Sequence, residues 1–408
     1  MGKNGNLVVG LDLGTTKTCA IVGEMHGDGI DVIGFASAPS KGLRKGMVIS
    51  IDSTVEAIAR VVEEAELMAG CKITSAYTGI AGSHIKGFNS HGVIGIQDNE
   101  VSRHDINRVI EAARAIAIPQ DREVLHILPQ EFIVDDQEGI QDPLGMSGVR
   151  LEAKVHMVTS AASSAQNIIK CANRTGLAVK ELVLQPLASS ASTIYEDEKE
   201  LGAVLVDIGG GTTDIAVIKG GSIRYTAVLA LGGDHITSDI AVGMRTSLKG
   251  AEDLKIQHGS AHSCPDEKDE TIEIPAPGGG GTRTVSRKFL CRIIHSRVEE
   301  IFTLVRREIA KSGYREFMTP GVVLTGGTSL LQGITECAER VLDLSVRVGY
   351  PNTVGGLSEI VKSPIYATAV GLILYGKNRA TDTNRTRAYK TMFSGLVRSA
   401  KSWLAEVV

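Results

Sequence analysis

Residues 204–214 read Val-Leu-Val-Asp-Ile-Gly-Gly-Gly-Thr-Thr-Asp, and residues 8–17 read Val-Val-Gly-Leu-Asp-Leu-Gly-Thr-Thr-Lys. Each stretch is an apolar run typical of a buried strand, followed by a glycine turn and the start of a second strand. In both stretches an aspartate stands just before the glycines. The repetition predicts an α/β protein with two related lobes, each beginning with a strand-turn-strand unit.

The composition of the two turns is typical of a site that holds phosphate. Glycines let the backbone approach a phosphate and offer N–H donors, while an aspartate at the strand end can face a metal ion or its waters. One such turn alone could be an ordinary tight hairpin, but two in one chain favour a clamp on one polyphosphate. Neither turn has the Gly-x-x-x-x-Gly-Lys-Ser/Thr spacing of a P-loop. The predicted contacts to ATP and Mg²⁺, the metal being reached through water by the two aspartates, are Asp12, Gly14, Thr15, Thr16, Lys17, Asp207, Gly209, Gly210, Gly211 and Thr212.

Composition excludes several other classes of protein. The chain has 408 residues, 43% of them hydrophobic, which is enough to bury several cores. The formal net charge of -4 gives no basic field for nucleic acid, so no nucleic-acid partner is expected. The cysteines are scattered without a Cys-x-x-Cys pair, and no apolar run is long enough for a signal peptide or a membrane span. These features predict a cytoplasmic protein.

Changes in composition and in the pattern of apolar residues along the chain predict its division into segments. The predicted segments are a first lobe at 1–83, an inserted α+β subdomain at 84–160, a return to the first lobe at 161–196, a second lobe at 197–376 with a small subdomain at about 232–300, a flexible linker at 377–389 and a terminal amphipathic helix at 390–408. In the first lobe a helix is expected from about Asp52, capped by Asp52 or Ser53. The acidic and glycine-rich stretch 258–287 predicts a polar excursion rather than core.

Three further features are ambiguous when they are considered alone. Gly326 and Gly327 follow an apolar strand and could let a purine lie flat on the backbone, although Gly-Gly after a strand is also an ordinary turn. Glu252 and Lys255 share a helix face and could bind ribose hydroxyls, or form only a solvated ion pair. Gln185 could orient a water toward a γ-phosphate, or be a polar surface residue.

The three glycine motifs, at residues 12–17, 207–214 and 324–329, resemble in order and spacing the phosphate and adenosine motifs of the actin, sugar-kinase and heat-shock-chaperone ATPase superfamily. Within that superfamily, the Gly-Ser-His-Ile around His84, residues 139–158 and the C-terminal helix resemble the FtsA family of bacterial actin-like division proteins over nearly the whole chain. The resemblance implies an actin-like fold that lacks the usual small subdomain of the first lobe and has a differently placed one at about 84–160. It also implies nucleotide contacts by Gln185, Thr213, Asp214, Glu252, Lys255, Gly326, Gly327 and Thr328.

The resemblance further implies a function at the division site. It implies a polymer that tethers the FtsZ ring to the cytoplasmic face of the inner membrane, binds the FtsZ C-terminal tail and recruits later division proteins through the inserted subdomain. Arg297 and Glu300 are the candidate contacts to FtsZ. Two departures from the family pattern concern this region: the stretch 260–287 is longer in glycine and acidic residues, and His295-Ser296-Arg297 stands where a Pro-Arg pair is usual. Any ATPase activity is expected to be slow.

The last residues of the chain have the pattern of an interfacial membrane helix. At about 100° per residue, the apolar side chains from Met392 onward fall in one arc of about 160°. Basic residues flank this arc, and a polar stretch precedes it. The alternative is an amphipathic helix docked on its own domain or on a partner. Weak binding by one copy would gain avidity from polymerisation. The predicted membrane contacts are Met392, Phe393, Leu396, Val397, Lys401, Trp403 and Leu404.

Two functions of other classes remain open from the residues. A sugar or metabolite kinase on the same superfamily fold would need a carboxylate near the cleft to deprotonate a substrate hydroxyl, and no substrate-specific motif indicates one. A chaperone ATPase would need a peptide-binding domain after the ATPase, where this sequence has only the predicted linker and helix.

Overall fold

The computed structural model of the chain describes residues 6–27, 29–262, 270–275 and 281–381. The predicted membrane helix at 390–408 and the predicted membrane contacts in it lie outside these residues. Within the described ranges, no helix is long and apolar enough to cross a bilayer.

The first lobe begins with a sheet and one long helix. Its elements are β1 (Leu7–Leu13), β2 (Lys17–His26), β3 (Gly29–Pro39), β4 (Leu43–Arg44), β5 (Met47–Val48), α1 (Ile51–Ala69) and β6 (Ser75–Ile80). The predicted N-cap of α1 at Asp52 or Ser53 is wrong. Ser50 has the extended backbone of a cap, and its hydroxyl accepts from the Ser53 N–H, while Gly70 ends the helix in the left-handed region.

The inserted subdomain is an antiparallel sheet covered by one helix. Its elements are β7 (Lys86–Gly95), α2 (Arg103–Arg114), β8 (Arg122–Val134), β9 (Gln137–Ile140) and β10 (Arg150–Ala161). The strand order is β7-β10-β8-β9, and α2 packs on β7 and β10 around its own buried core. The chain then returns to the first lobe through α3 (Ala162–Arg174), β11 (Ala178–Leu184) and α4 (Gln185–Thr193).

The second lobe contains a central sheet with helices on its apolar faces. Its elements are α5 (Glu196–Leu201), β12 (Ala203–Ile208), β13 (Thr213–Lys219), β14 (Ser222–Leu229), α6 (Gly233–Gly243), α7 (Leu248–His258), β15 (Thr271–Pro275), β16 (Thr282–Ser286), α8 (Arg287–Ser312), β17 (Gly321–Thr325), α9 (Ile334–Leu342) and β18 (Val346–Val348). Every residue of β12 is buried because helices cover the sheet on both sides.

The two central sheets have the same topology. In the first lobe the order is β3-β2-β1-β6-β11, with β1 antiparallel to β2 and parallel to β6. In the second lobe the order β14-β13-β12-β17-β18 repeats both the sequence of strands and their directions. A short strand β19 (Gly355–Gly356) extends the first sheet beside β3. The predicted duplication of an α/β lobe, with an inserted subdomain in the first, is confirmed.

The chain finally returns to the first lobe through α10 (Ser358–Val361) and a helix over residues 367–381. This last helix is core: Val370, Leu372 and Ile373 are fully buried, and Gly371 lies against the backbone of Ala188 in α4. The predicted linker from residue 377 is therefore wrong at its start, because the helix continues through residue 381. Tyr375 donates to Glu181 of β11 at 2.6 Å and holds this part of the helix in place.

The predicted polar excursion at 258–287 contributes to the core. The β15-β16 hairpin places Ile272 and Ile274 in the apolar core of the second lobe, where Ile274 is fully buried. The sequence interpretation was wrong here because the alternating Thr-Ile-Glu-Ile pattern at 271–274 is a half-buried strand, which the surrounding acidic and glycine residues obscured.

Candidate functional site

The two glycine turns have matching backbone geometry. In the β1-β2 turn the Gly14 N–H donates to the Lys17 carbonyl at 2.9 Å, and in the β12-β13 turn the Gly209 N–H donates to the Thr212 carbonyl at 3.0 Å. Within the described part of the chain, the N–H groups at the centres of the turns donate no hydrogen bond; they belong to Thr15, Thr16, Gly210 and Gly211. Successive backbone N–H groups that have no acceptor in the protein can together bind an anion.

The two turns also pack directly on each other. A Cβ on Gly210 would overlap the Thr16 hydroxyl, and a Cβ on Gly211 would lie 2.6 Å from the Thr15 hydroxyl. The contact between the lobes therefore requires glycine at both positions. The start of α6 holds the second turn, because Gly233 N–H donates to the Gly209 carbonyl at 2.9 Å.

A cavity of about 560 Å³ opens between the lobes, within the size range of sites for small ligands. Thr213 is the exception among the predicted nucleotide contacts: it is not part of the wall, since its side chain is fully buried in β13 and donates to the Leu231 carbonyl. The predicted residues that line the cavity are Asp12, Gly14, Thr15, Thr16, Lys17, Gln185, Asp207, Gly209, Gly210, Gly211, Thr212, Asp214, Glu252, Lys255, Gly326, Gly327 and Thr328.

Asp12 is buried at the end of β1 with both carboxylate oxygens engaged. Lys17 Nζ lies 2.8 Å from Oδ2, and Gln185 Nε2 donates to Oδ1 at 3.2 Å. Burial opposes the charge on Lys17, but Asp12, together with the other acidic groups nearby, outweighs burial, so the pKa of the ammonium group is raised. The first turn therefore presents a cation to the cavity, which suits a polyphosphate.

The second lobe contributes two buried carboxyl groups. Ser189 donates to Asp207 at 2.7 Å, and burial, with the nearby charge of Asp12, raises the pKa of Asp207. Burial and then the Asp207 carboxylate raise the pKa of Asp214 to about 8. One Asp214 oxygen accepts from Thr212, while Oδ1 is buried with no hydrogen-bond partner in the described protein. An orphaned buried oxygen of this kind calls for a proton, a water or a cation.

The carboxyl groups are not arranged as direct metal ligands. No group of three or more His, Cys, Asp and Glu side chains in the described ranges forms a site that could hold a metal ion by itself. Asp12 and Asp207 both face the cavity from the strand ends, and oxygen donors at that place suit Mg²⁺ that keeps several of its waters.

The cavity wall also includes residues of α7 and of the turn after β17, where Thr328 donates to the Gly209 carbonyl of the second glycine turn at 3.2 Å. Lys255 Nζ lies 2.7 Å from Glu252 and also donates to Thr237 at 2.9 Å. The predicted pair is thus an ion pair that faces the cavity, anchored to α6 through Thr237. Ile256 adds an apolar side chain, 71% exposed, to the same wall.

The two glycines after β17 have different roles. Gly326 has φ +82°, and a Cβ there would lie 2.6 Å from the Ile208 carbonyl, so packing between strand ends requires glycine. At Gly327 a Cβ would have no neighbour closer than Ile365 at 3.7 Å. Only Gly327 therefore has the open backbone that the sequence interpretation gave to both.

Gln185 occupies the first turn of α4, and its position depends on the first lobe and on the inserted subdomain. A Cβ on Gly79 would lie 3.3 Å from Gln185 Cγ, so this glycine provides space for the glutamine. The preceding residue is fixed by the inserted subdomain, since Leu184 N–H donates to His126 Nε2 at 3.0 Å.

Several wall residues were not predicted from the sequence. Gly46 reaches the cavity from the β4-β5 hairpin, and Asp234 and Thr368 reach it from α6 and the last helix. Gly232-Gly233-Asp234 after β14 repeats the pattern of glycines between a strand and a helix, so it could have been found. Gly46 and Thr368 carry no local signal, because only the tertiary fold brings them to the cavity.

The candidate partner contacts lie outside the cavity, on α8. Arg297 donates to Asp239 of α6 at 2.6 Å and to Glu300 at 2.6 Å. The Glu300 side chain is 52% exposed.

Comparison with known proteins agrees with this architecture. The family model described as Cell division protein FtsA matches residues 204–371, and the model described as SHS2 domain inserted in FTSA matches residues 82–159. A solved PilM–PilN type IV pilus biogenesis complex superimposes with a TM-score of 0.65 at 20% identity, covering 90% of this chain and 98% of that chain. MreB5 of Spiroplasma citri bound to ADP gives 0.57 at 13% identity, covering 93% and 99%. These likenesses show an actin-like fold.

Sequence relatives extend over most of the chain. The cell division protein FtsA of Pseudomonas aeruginosa PAO1 is 50% identical over 381 residues, which are 93% of this chain and 91% of that protein. The FtsA of Escherichia coli K12 is 43% identical over 379 residues, with 91% and 90% covered. The chain is therefore an actin-like protein with an inserted SHS2 domain and belongs to the FtsA family of cell division proteins.

Proposed function

We propose that this chain binds Mg-ATP between its lobes and, as a polymer, tethers the FtsZ ring to the cytoplasmic face of the inner membrane at the division site. The main support for ATP binding is the pair of matched glycine turns that face one cavity. Among the described residues, the N–H groups at the centres of these turns donate no hydrogen bond and are available to a ligand. Membership of the FtsA family favours this role over the sugar or metabolite kinase.

The cavity wall has chemically distinct parts, which orient the proposed ligand. The triphosphate is assigned to the two turns and Lys17, where backbone N–H groups and an ammonium group can neutralise it. The ribose is assigned to Glu252 and Lys255, and the purine to the open backbone at Gly327. Both ends of an ATP molecule thus have matching donors or surfaces.

Mg²⁺ fits the carboxyl groups of the phosphate end. Asp12 and Asp207 would hold it through its waters. Its positive charge would oppose the effects of burial and of the neighbouring carboxylates, which together raise the pKa of Asp207 and Asp214. When bound, the ion would neutralise charge on the phosphates. Gln185 is proposed to orient a water at the γ-phosphate end, with hydrolysis slow at most.

Replacing Asp207 with alanine tests the proposed site. Asp207→Ala removes a buried carboxyl group beside the phosphate turns, and we expect the loss of Mg-dependent ATP binding in a calorimetric titration, while Asp207→Asn separates loss of charge from loss of packing. Asp52→Ala, on the exposed side chain at the start of α1, is the matched control and should bind as the wild type does. Unchanged Mg-ATP affinity in both Asp207 variants would contradict the assigned role.

The membrane role is proposed from the sequence of residues 390–408 and from family membership. The described part of the preceding helix runs through residue 381 on the first lobe, and the proposed membrane helix begins at residue 390. A chain truncated after residue 389 should lose sedimentation with liposomes of anionic lipid while keeping ATP binding. Lys401→Glu, which places an acid on the flank of the apolar arc, should weaken binding without abolishing it. Equal sedimentation of the truncated and full chains would exclude the tether.

Partner binding is proposed at two surfaces. Residues Arg297 and Glu300 on α8 are assigned to the FtsZ C-terminal tail, and the inserted subdomain is assigned to later division proteins. The exposed Glu300 carboxylate supports the first assignment, since it and Arg297 form a charged pair on the surface of the second lobe.

A further inference from the structure

The β4-β5 hairpin, residues 43–48, contacts both phosphate turns and is called the cleft hairpin below. At its tip, Gly46 lines the cavity, and its N–H donates to the Thr15 hydroxyl of the first turn at 3.2 Å. On the second turn, a Cβ on Gly211 would lie 3.1 Å from Lys45 Cα. The cleft hairpin therefore touches the place where the two turns meet.

Lys45 brings a positive charge to this contact. Its backbone lies in the left-handed region with φ 50°, which a lysine adopts only where its surroundings hold it. Its half-buried side chain has no hydrogen-bond or ion-pair partner among the residues that the structure describes. Burial first, and then the charges of Lys45 and Arg297, lower the pKa of His235 at the start of α6. Lys45 is thus a cation without a carboxylate partner beside the second turn.

The other side of the cleft hairpin packs on the chain that enters the inserted subdomain. A Cβ on Gly46 would lie 2.7 Å from the Ala81 carbonyl and 2.9 Å from Gly82 Cα. A Cβ on Gly82 would in turn lie 3.2 Å from the Lys45 carbonyl and 2.8 Å from His84 Nδ1. No layer of side chains separates the cleft hairpin from this segment, so movement of one requires movement of the other.

Arg122 links the two chain segments that connect the first lobe to the inserted subdomain. Its Nη2 donates to the His84 carbonyl at 2.9 Å, where the chain enters, and to the Thr159 carbonyl at 2.9 Å, where the chain leaves. The same guanidinium also donates to the Thr159 hydroxyl at 2.8 Å. One side chain therefore fixes both connections at the root of the subdomain.

We propose that the cleft hairpin detects the terminal phosphate of ATP through Lys45 and Gly46 and transmits its presence through Ala81, Gly82 and Arg122 to the inserted subdomain. The inference rests on the proposed ATP binding and adds a sensor and a route to it. Because coupling between two sites is reciprocal, a partner bound to the inserted subdomain would also change the preference for ATP over ADP.

The sensor is tested by Lys45→Met, which keeps most of the side-chain volume and removes the charge. Affinities for Mg-ATP and Mg-ADP are measured by calorimetric titration. Loss of one charged contact to the terminal phosphate should weaken Mg-ATP by about tenfold and leave Mg-ADP unchanged. Arg44→Met, on the exposed neighbour in the same hairpin, is the matched control and should preserve both affinities.

The route is tested by Arg122→Met, which changes a residue that does not line the cavity. Hydrogen–deuterium exchange of β7 and β10 is compared in Mg-ATP and Mg-ADP. The wild type should show a difference between the two nucleotides in these strands, and Arg122→Met should lose it while binding Mg-ATP with wild-type affinity. Arg114→Met, on an exposed residue of α2, should keep the difference. Arg122→Lys keeps the charge without the forked geometry and serves if the methionine variant does not fold.

The outcomes separate this inference from the proposed function. Wild-type protein that binds neither nucleotide would overturn both. If Lys45→Met bound both nucleotides with an unchanged ratio of Mg-ATP to Mg-ADP affinity, the sensor alone would be overturned. An exchange difference that persists in both Arg122 variants would overturn the route. The expected result has two parts. Lys45→Met lowers the affinity for Mg-ATP relative to Mg-ADP, and Arg122→Met loses the difference in hydrogen exchange between the two nucleotides.

Discussion

At the scale of single residues, the phosphate end of the cavity concentrates carboxyl groups that the sequence predicts only in part. Asp12 and Asp207 were predicted because each ends an apolar strand before a glycine turn. In the strand registers Asp12 lies opposite Cys19, whereas Asp207 lies opposite Asp214, so only the second lobe pairs two carboxyl groups at this position. The hydroxyl of Ser189 that holds Asp207 could not be predicted, because it comes from a distant helix without a local pattern.

The raised pKa of Asp214 predicts that the protein becomes less stable as the pH rises. Burial raises the pKa of this group from 3.8 to about 8, so between these values the folded state holds a proton that the unfolded state has released. Stability from this group is therefore complete below pH 4 and falls as the pH rises to 8. Asp214→Asn should remove this slope, and the measurement is the urea midpoint between pH 6 and pH 8.5.

Two comparisons control the Asp214 experiment. Asp253→Asn changes a carboxyl group of α7 that does not line the cavity, and it should keep the wild-type slope. Addition of Mg-ATP should flatten the slope of the wild type if the cation reaches this group. Parallel wild-type and Asp214→Asn curves over the whole range would show that Asp214 is ionised in the folded protein.

At the scale of elements, local patterns were sufficient for the strands and helices that form each lobe. Repeated apolar runs and glycine turns predicted β1, β2, β12 and β13, since these signals are local. The extent of the last helix was not predicted, because residues 377–381 are polar and their place depends on a distant strand. Arg379, like Tyr375, donates to Glu181 of β11, at 3.2 Å. Tertiary contact thus overrides a sequence that resembles a linker.

The close contact of the last helix with α4 predicts that Gly371 does not tolerate a side chain. A Cβ there would overlap the Ala188 carbonyl, and both segments are backbone of buried helices that cannot give way easily. Gly371→Ala should lower the free energy of unfolding by about 1–3 kcal/mol, even though alanine favours a helix. Gly29→Ala, where the nearest atom would be 3.5 Å away, is the control. Equal urea midpoints for Gly371→Ala and the wild type would show that the helices separate at little cost.

At the scale of the whole molecule, the inserted subdomain is fastened to both lobes by buried histidines. His126 of β8 accepts from the Leu184 N–H of the first lobe, and His156 of β10 lies 2.8 Å from the Thr226 hydroxyl of β14 in the second lobe. Gln130 adds hydrogen bonds to carbonyls of β14. The existence and approximate bounds of the subdomain followed from its texture and family resemblance. The way in which the subdomain docks on the two lobes was not predicted, because contacts between distant segments leave no periodic signal in one sequence.

These two histidines predict that mild acid loosens the inserted subdomain. Burial lowers the pKa of each from 6.5 to about 4, and for His126 the charge of Glu181 opposes this shift while Arg379 adds to it. Between these values the unfolded state binds protons that the folded state does not. Stability is therefore complete above pH 6.5 and is lost toward pH 4, by about 3 kcal/mol for each group.

Replacing one histidine shows how much of the acid sensitivity of stability that histidine contributes. His156→Gln should lower stability at pH 7, because the buried hydrogen bonds to Asn89 and Thr226 change, yet lose less stability than the wild type between pH 6.5 and pH 5. The urea midpoint followed by circular dichroism measures both effects, and hydrogen exchange of β14 reports whether the subdomain detaches. His91→Gln, on a half-exposed histidine of β7, is the matched control and should keep the wild-type slope. If His156→Gln kept the full slope as well, the acid sensitivity would belong to groups outside this interface, and the subdomain would be held to the second lobe chiefly by packing.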